Sequence, residues 1–190
     1  MNGTIVIVDD DPITRMDIRG MLKEANYNVV GEASDGFKAI ELCKMYHPDL
    51  VIMDVQLPIL DGLKASKRII ADRLTGGVIL LTAISDKKTV EKAAAIGVHG
   101  YIVKPLDEKS FIPTLEVTIA KGKEISKLEQ DLTRLSQKLE ERKAIEKAKG
   151  ILMKESSCSE EEAYQTLRKL SMDRRCPMME IASTIVISHD

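Results

Sequence analysis

Five short runs rich in Val, Ile and Leu, without polar alternation, dominate the first 105 residues: 4–8, 28–32, 50–53, 78–82 and 101–103. Between them lie stretches of helical periodicity near 12–25, 36–46, 62–72 and 87–96. Runs of Val, Ile and Leu without alternation are what parallel strands need when helices cover both faces. Strands and helices in strict alternation predict a doubly wound α/β sheet of five parallel strands in the order 2-1-3-4-5. Local signals agree. Asp11 followed by Pro12 is a helix start. Gly76, Gly77 and Gly97 punctuate helix ends.

From Asp107 the pattern is helical and runs long. Pro113 predicts a local kink and Gly122 a second weak point. Ile125, Leu128, Leu132, Leu135 and Leu139 then follow one another at alternating spacings of three and four. That is the seam of a coiled coil. In a parallel pair, Glu124 would face Glu129 and Lys138 would face Lys143. Both pairs are like-charged, so the coil is expected to be weak by itself. The stretch 142–190 predicts three further helices. The first continues to about Lys154. The second opens on a capping box, Ser159 to Glu162, and runs to about Met172. The third starts at Pro177 and presents Ile181, Ala182 and Ile185. The expected organisation is a first domain over 1–120, a coiled-coil linker over 121–141 and a small three-helix bundle over 142–190.

Composition removes several function classes. No apolar run approaches the roughly 18 residues of a membrane helix, so no membrane partner is expected. The N-terminus lacks a basic region and a cleavage site, which argues against a signal peptide. Cys43, Cys158 and Cys176 form no CxxC, as expected of a reducing cytoplasm. Residues 1–120 carry 14 Lys and Arg against 17 Asp and Glu, and residues 121–190 carry 14 against 13. Bulk charge therefore announces no nucleic-acid binding, which must rest on a local patch. With aromatics at 3%, an RNA platform built on rows of stacking rings is not expected.

The polar residues that matter fall at the C-terminal ends of the strands, where open α/β sheets place their sites. Asp9 and Asp10 end the first, Asp54 the third, Thr82 the fourth and Lys104 the fifth. With the first and third strands adjacent, three carboxylates converge. Such a cluster repels itself unless a cation resolves it, and an all-oxygen set this small suits Mg²⁺. A metal, an ammonium and a hydroxyl around a carboxylate are what phosphoryl transfer to that carboxylate requires.

Val8-Asp9-Asp10, Met53-Asp54-Val55-Gln56-Leu57-Pro58 with Asp61-Gly62, Leu81-Thr82-Ala83 and Tyr101-Ile102-Val103-Lys104-Pro105 together resemble the receiver domain of response regulators, which has a flavodoxin-like fold. The resemblance covers residues 1–120. It implies that Asp54 accepts phosphate from a sensor histidine kinase. It implies Mg²⁺ held by Asp9, Asp10, Asp54 and the carbonyl of Gln56. It also implies that Thr82 and Tyr101 rearrange on phosphorylation and that the face around 87–96 and 101–103 then forms a homodimer. Gln56 and Ile84 stand at two positions associated with phosphate lifetime. Ile84 cannot orient a water, which predicts slow self-hydrolysis.

Arg142, Lys143, Lys147, Lys149 and Lys154 make the helix before Glu155 basic, and Arg168, Lys169, Arg174 and Arg175 form a second cluster. Helical spacing buries Ala148 and exposes Lys147, Gly150 and, on a second stripe, Arg142 with Lys149. Arg142, the run Ile145-Glu146-Lys147-Ala148-Lys149-Gly150-Ile151-Leu152-Met153, Glu162-Ala163-Tyr164, Leu167-Arg168 and Glu180-Ile181-Ala182 resemble the ANTAR output domain. That resemblance implies RNA binding to leader hairpins and transcription antitermination. It points to Ala148, Lys149, Gly150, Tyr164 and Arg168, with basic Arg142 and Lys147, as the RNA-facing set. The rival is a DNA-binding output, but no recognition helix rich in Arg, Asn, Gln and Ser is present. Residues 121–190 hold no catalytic constellation, so no output enzyme is expected.

Overall fold

The computed structural model describes residues 2–83 and 87–189. The chain divides into two compact units, Met1–Lys127 and Leu128–Asp190.

The first unit is built from β1 (Thr4–Val8), α1 (Pro12–Glu24), β2 (Asn28–Ala33), α2 (Gly36–Tyr46), β3 (Leu50–Asp54), α3 (Gly62–Ala71), β4 (Val78–Thr82), α4 (Lys87–Ile96) and β5 (Gly100–Val103). It is closed by the first part of α5 (Glu108–Ser156). All strand pairs are parallel, in the order β2-β1-β3-β4-β5. Alternate residues of the central strands feed two cores. Val6, Val8, Val51, Met53, Val78 and Leu80 point to the side of α2, α3 and α4. Ile5, Ile7, Leu50, Ile52, Ile79 and Leu81 meet Ile18 and Leu22 of α1 and Phe111, Leu115 and Ile119 of α5. Burial on both faces is why these strands carry no polar alternation.

Helix starts follow local chemistry. The Asp11 side chain accepts from the backbone N–H groups of Ile13 and Thr14, with Pro12 in the first turn. Asp35 and Asp61 cap α2 and α3 in the same way. Gly97 follows α4 at φ +86°, a left-handed position that glycine takes without strain.

Pro113 lies five residues after the start of α5, and the helix runs on through it with one early backbone hydrogen bond forgone. One expectation about α5 needs correction. Gly122 is a packing residue rather than a weak point. A Cβ there would lie 2.3 Å from the carbonyl oxygen of Gly76, so only glycine lets the helix backbone approach that loop.

In the second unit, the rest of α5 packs with α6 (Glu160–Arg174) and α7 (Met178–Ile187) around Ala148, Leu167 and Ala182, all fully buried. The capping box forms: Ser159 and Glu162 satisfy each other's backbone donors at the start of α6. Leu128, Leu132, Leu135 and Leu139 of α5 are exposed. Among the described residues no helix is long and apolar enough to cross a membrane.

Candidate functional site

The sheet order sets the site. Because β1 and β3 are neighbours, with Val8 paired to Met53, their next residues emerge side by side. Asp9, Asp10 and Asp54 each offer a carboxylate oxygen, and these atoms all lie within 4.8 Å of one another. Asp9 is fully buried and Asp54 nearly so, while Asp10 is exposed. The Lys104 ammonium sits between the two buried carboxylates. Its Nζ is 2.7 Å from Asp9 Oδ2 and 2.5 Å from Asp54 Oδ2.

Burial lifts the Asp9 carboxyl above its ordinary value, and the charge of Asp54 adds to the lift; hydrogen bonds from Lys104 and the Asp11 backbone hold it back. For Lys104, burial acts to lower the pKa, but hydrogen bonds to Asp54 and Asp9 outweigh it and the ammonium titrates above its usual range. The cation is therefore the internal counter-charge of the cluster. Asp9 and Asp54 accept from Lys104 through one oxygen each. The other oxygen of Asp9 accepts from the Asp11 N–H at 3.0 Å, and that of Asp54 from the Gln56 N–H at 3.0 Å. A small, all-oxygen, partly buried set of this kind fits a hard divalent cation.

Thr82 ends β4, is buried, and its carbonyl accepts from the Lys104 N–H at 2.8 Å. Tyr101 pairs in register with Leu80 and is half-buried against the core on the α2–α4 side. Ile84, at one of the two lifetime positions, lies outside the described residues.

One supporting residue escapes motif reading. Arg15 Nη1 donates to the carbonyl of Asp9 at 2.7 Å, and Glu32 holds the same guanidinium at 3.5 Å. Its signal in the sequence is a basic residue one turn past the Asp11 cap. Gly62 belongs to the motif, and the structure gives its reason. A Cβ there would lie 1.9 Å from the Asp54 carbonyl oxygen, so α3 can start directly against the acceptor strand only with glycine.

The second unit divides the expected RNA-facing residues. Arg142 and Lys147 are exposed on α5, and Tyr164 and Arg168 are exposed on α6, four residues apart on one face. Gly150 is half-buried, with open space where a Cβ would stand. Ala148 and Lys149 are corrections. Ala148 is fully buried against Leu167 and Ala182, so its role is helix packing. Lys149 does not share an exposed stripe with Arg142. It is 7% exposed, and its Nζ lies 2.9 Å from Glu146 and 2.6 Å from Glu160. Helical spacing could not foresee this, because Glu160 arrives from the first turn of α6. The hydrogen bonds to Glu146 and Glu160 raise the Lys149 pKa, and the same contact lowers that of Glu160.

The family model of the response regulator receiver domain matches residues 5–116, and that of the ANTAR domain matches residues 133–186. The chain is a two-component response regulator with a receiver domain and an ANTAR domain. This response regulator is similar to the transcriptional regulatory protein PdtaR of Mycobacterium tuberculosis, 38% identical over 182 residues that span 96% of this chain and 88% of the relative. The chemotaxis protein CheY of Halobacterium salinarum is 34% identical over 115 residues, covering 60% of this chain and 95% of that protein. The receiver domain of sensor histidine kinase PA1611 from Pseudomonas aeruginosa PAO1 superposes with a TM-score of 0.56 at 29% identity, covering 62% of this chain and 98% of that one. That structure has a magnesium ion coordinated in its active site cleft.

Proposed function

We propose that this response regulator is a cytoplasmic switch: a sensor histidine kinase phosphorylates Asp54, two copies pair through the α4–β5 face, and the ANTAR domains bind leader-RNA hairpins so that transcription is not terminated. The observation that carries the reading is the placement of Asp54 within reach of two further carboxylates and of the Lys104 ammonium at 2.5 Å. An Asp54 oxygen attacks the phosphorus of the kinase phosphohistidine. The P–O bond forms as the P–N bond breaks, and the imidazole nitrogen keeps the electron pair. Asp9, Asp10, Asp54 and the carbonyl of Gln56 are the residues that would hold Mg²⁺, which when bound supplies positive charge to the phosphoryl oxygens. Lys104 supplies a second cation and Thr82 a hydroxyl donor. Phosphorylation adds about −1.5 to −2 charge, and Thr82 and Tyr101 shift in response. The receiver spans 1–120, the linker 121–141 and the RNA-binding domain 142–190. On the latter, Arg142, Lys147, Tyr164 and Arg168 face the RNA beside Gly150. The chain is a regulator and not an enzyme.

The test uses the full chain with a small acyl phosphate donor and Mg²⁺. Intact mass should show one added phosphoryl group, absent in Asp54→Ala, and phosphorylation should enhance binding to paired leader hairpins in a gel shift. Label retained in Asp54→Ala, or a shift with duplex DNA and none with the hairpins, would overturn the reading.

A further inference from the structure

Asp9 and Asp54 are each fixed at both carboxylate oxygens, one by Lys104 and the other by a backbone N–H. Asp10 differs. Among the described residues no hydrogen bond or ion pair holds its exposed side chain. Yet one of its oxygens lies within 4.8 Å of those of Asp9 and Asp54. Its backbone must therefore aim it, and Arg15 holds that backbone. We infer that Arg15 is a positioning residue of the cation site, which keeps the Asp10 carboxylate turned toward Asp9 and Asp54 and thereby sets the affinity for a divalent cation. The inference deepens the proposed function, since it rests on those three carboxylates holding Mg²⁺.

The need for Arg15 starts where the sheet ends. β2 stops at Ala33, whose carbonyl accepts from the Asp9 N–H at 3.1 Å. The N–H and C=O of one strand residue leave on the same side, so the Asp9 carbonyl faces the side where β2 has run out. A buried carbonyl there needs a donor from elsewhere. Arg15 Nη1 supplies it at 2.7 Å and reaches the Asp10 carbonyl at 3.4 Å. Successive carbonyls of an extended strand point to opposite sides. Two that converge on one nitrogen therefore mark a bend, and the chain bends at Asp10. The guanidinium is itself steadied from β2. Glu32 faces its Nε at 3.5 Å and accepts from Arg19 Nη1 at 2.9 Å. The buried Nε completes no hydrogen bond, so the planar group is oriented by the two carbonyls rather than by Glu32. The direction of the effect separates support from charge. As a mere positive charge near the site, Arg15 would repel Mg²⁺ and weaken its binding. As the support of Asp10 it strengthens that binding.

Calorimetric titration of the full chain with Mg²⁺ tests this, with thermal melting in EDTA to show that each variant is folded. Arg15→Met keeps the aliphatic stem and loses the donors. Its Mg²⁺ affinity should fall roughly tenfold or more, the usual effect of removing a group that orients a metal ligand. Arg15→Lys keeps the charge and a donor for the Asp9 carbonyl, and its affinity should lie between those of Arg15→Met and the parent. In an Asp10→Asn background, Arg15→Met should alter the Mg²⁺-induced rise in melting temperature no further, because the residue it acts through is already disabled. Mg²⁺ bound as tightly or more tightly by folded Arg15→Met would overturn the inference, as would a further loss in the Asp10→Asn background. If Arg15→Met is unfolded at the assay temperature, Arg15→Lys decides: severalfold weaker binding sustains the inference and parent-like affinity overturns it. A parent chain that binds no Mg²⁺ overturns the proposed function and this inference together. Variants that match a parent which does bind overturn the inference alone.

Discussion

Replacing Lys104 by alanine removes the cation that two buried carboxylates share. At 2.5 and 2.7 Å, each contact is a gross attraction of roughly 6 kcal/mol at an effective dielectric of about 20. Desolvation offsets most of that. Truncating one partner of a buried pair costs about 3–5 kcal/mol, and the Lys104 side chain is 23% exposed, so the expected loss is about 2–3 kcal/mol. With a urea dependence of about 2 kcal/mol per molar, the receiver midpoint should fall by roughly 1–1.5 M in EDTA. Mg²⁺ should reverse much of this, because a divalent cation can replace the missing charge and no longer meets a competing ammonium. A tenfold gain in affinity adds about 1.4 kcal/mol at saturating metal. Urea unfolding read by hydrogen exchange of β1 and β3 peptides separates the receiver from the helical second unit. An equal Mg²⁺-induced shift in parent and variant, or a variant as stable as the parent in EDTA, would refute the assignment of Lys104 as internal counter-charge.

Other outcomes follow from the same geometry. Gly62→Ala should destabilise the receiver by about 1–3 kcal/mol or more and slow phosphate uptake, since its Cβ meets the Asp54 carbonyl at 1.9 Å; thermal melting and phosphorylation kinetics check both. Because burial raises the Asp9 pKa, the folded chain holds that proton more tightly than the unfolded one. The stability this brings is full below the ordinary carboxylate range and lost as pH rises through the raised value. Mg²⁺ affinity should accordingly decline on acidification from above the usual Asp titration near pH 4, and calorimetric titration with constant affinity down to that pH would contradict it. Burial lowers the His99 pKa, and its neutral Nδ1 accepts from the Val78 N–H at 3.2 Å. That stability is present above the ordinary His range and lost as pH falls through the lowered value, a slope that His99→Asn should abolish in pH-dependent melting. In RNA titrations, Arg168→Ala should reduce the salt slope by about one, whereas Lys149→Ala should lower affinity with the slope unchanged, because Lys149 holds Glu146 and Glu160.

The five strands and the four helices between them stand within a residue or two of where the sequence sets them. An aliphatic run buried on both faces has no other soluble use, and the turn residues Asp11, Asp35 and Asp61 carry their caps locally. The acidic cluster is legible for a related reason: strand order alone brings Asp9 beside Asp54. What the sequence withholds depends on a partner from elsewhere in the chain. Gly122 reads as a flaw until the Gly76 carbonyl arrives beneath it. Lys149 reads as a surface cation until Glu160 closes over it. Arg15 carries no motif, because what it grips is a backbone carbonyl.

The sheet grades its own stiffness. Asp54 stands on an interior strand with every residue buried, while Tyr101 stands on the outermost strand, where no residue is fully covered. A charge gained at the immovable centre can thus be felt at the yielding margin, and chemistry and signal need not compromise over one piece of backbone. Substitutions that harden that margin should silence the output while leaving the acceptor fully reactive.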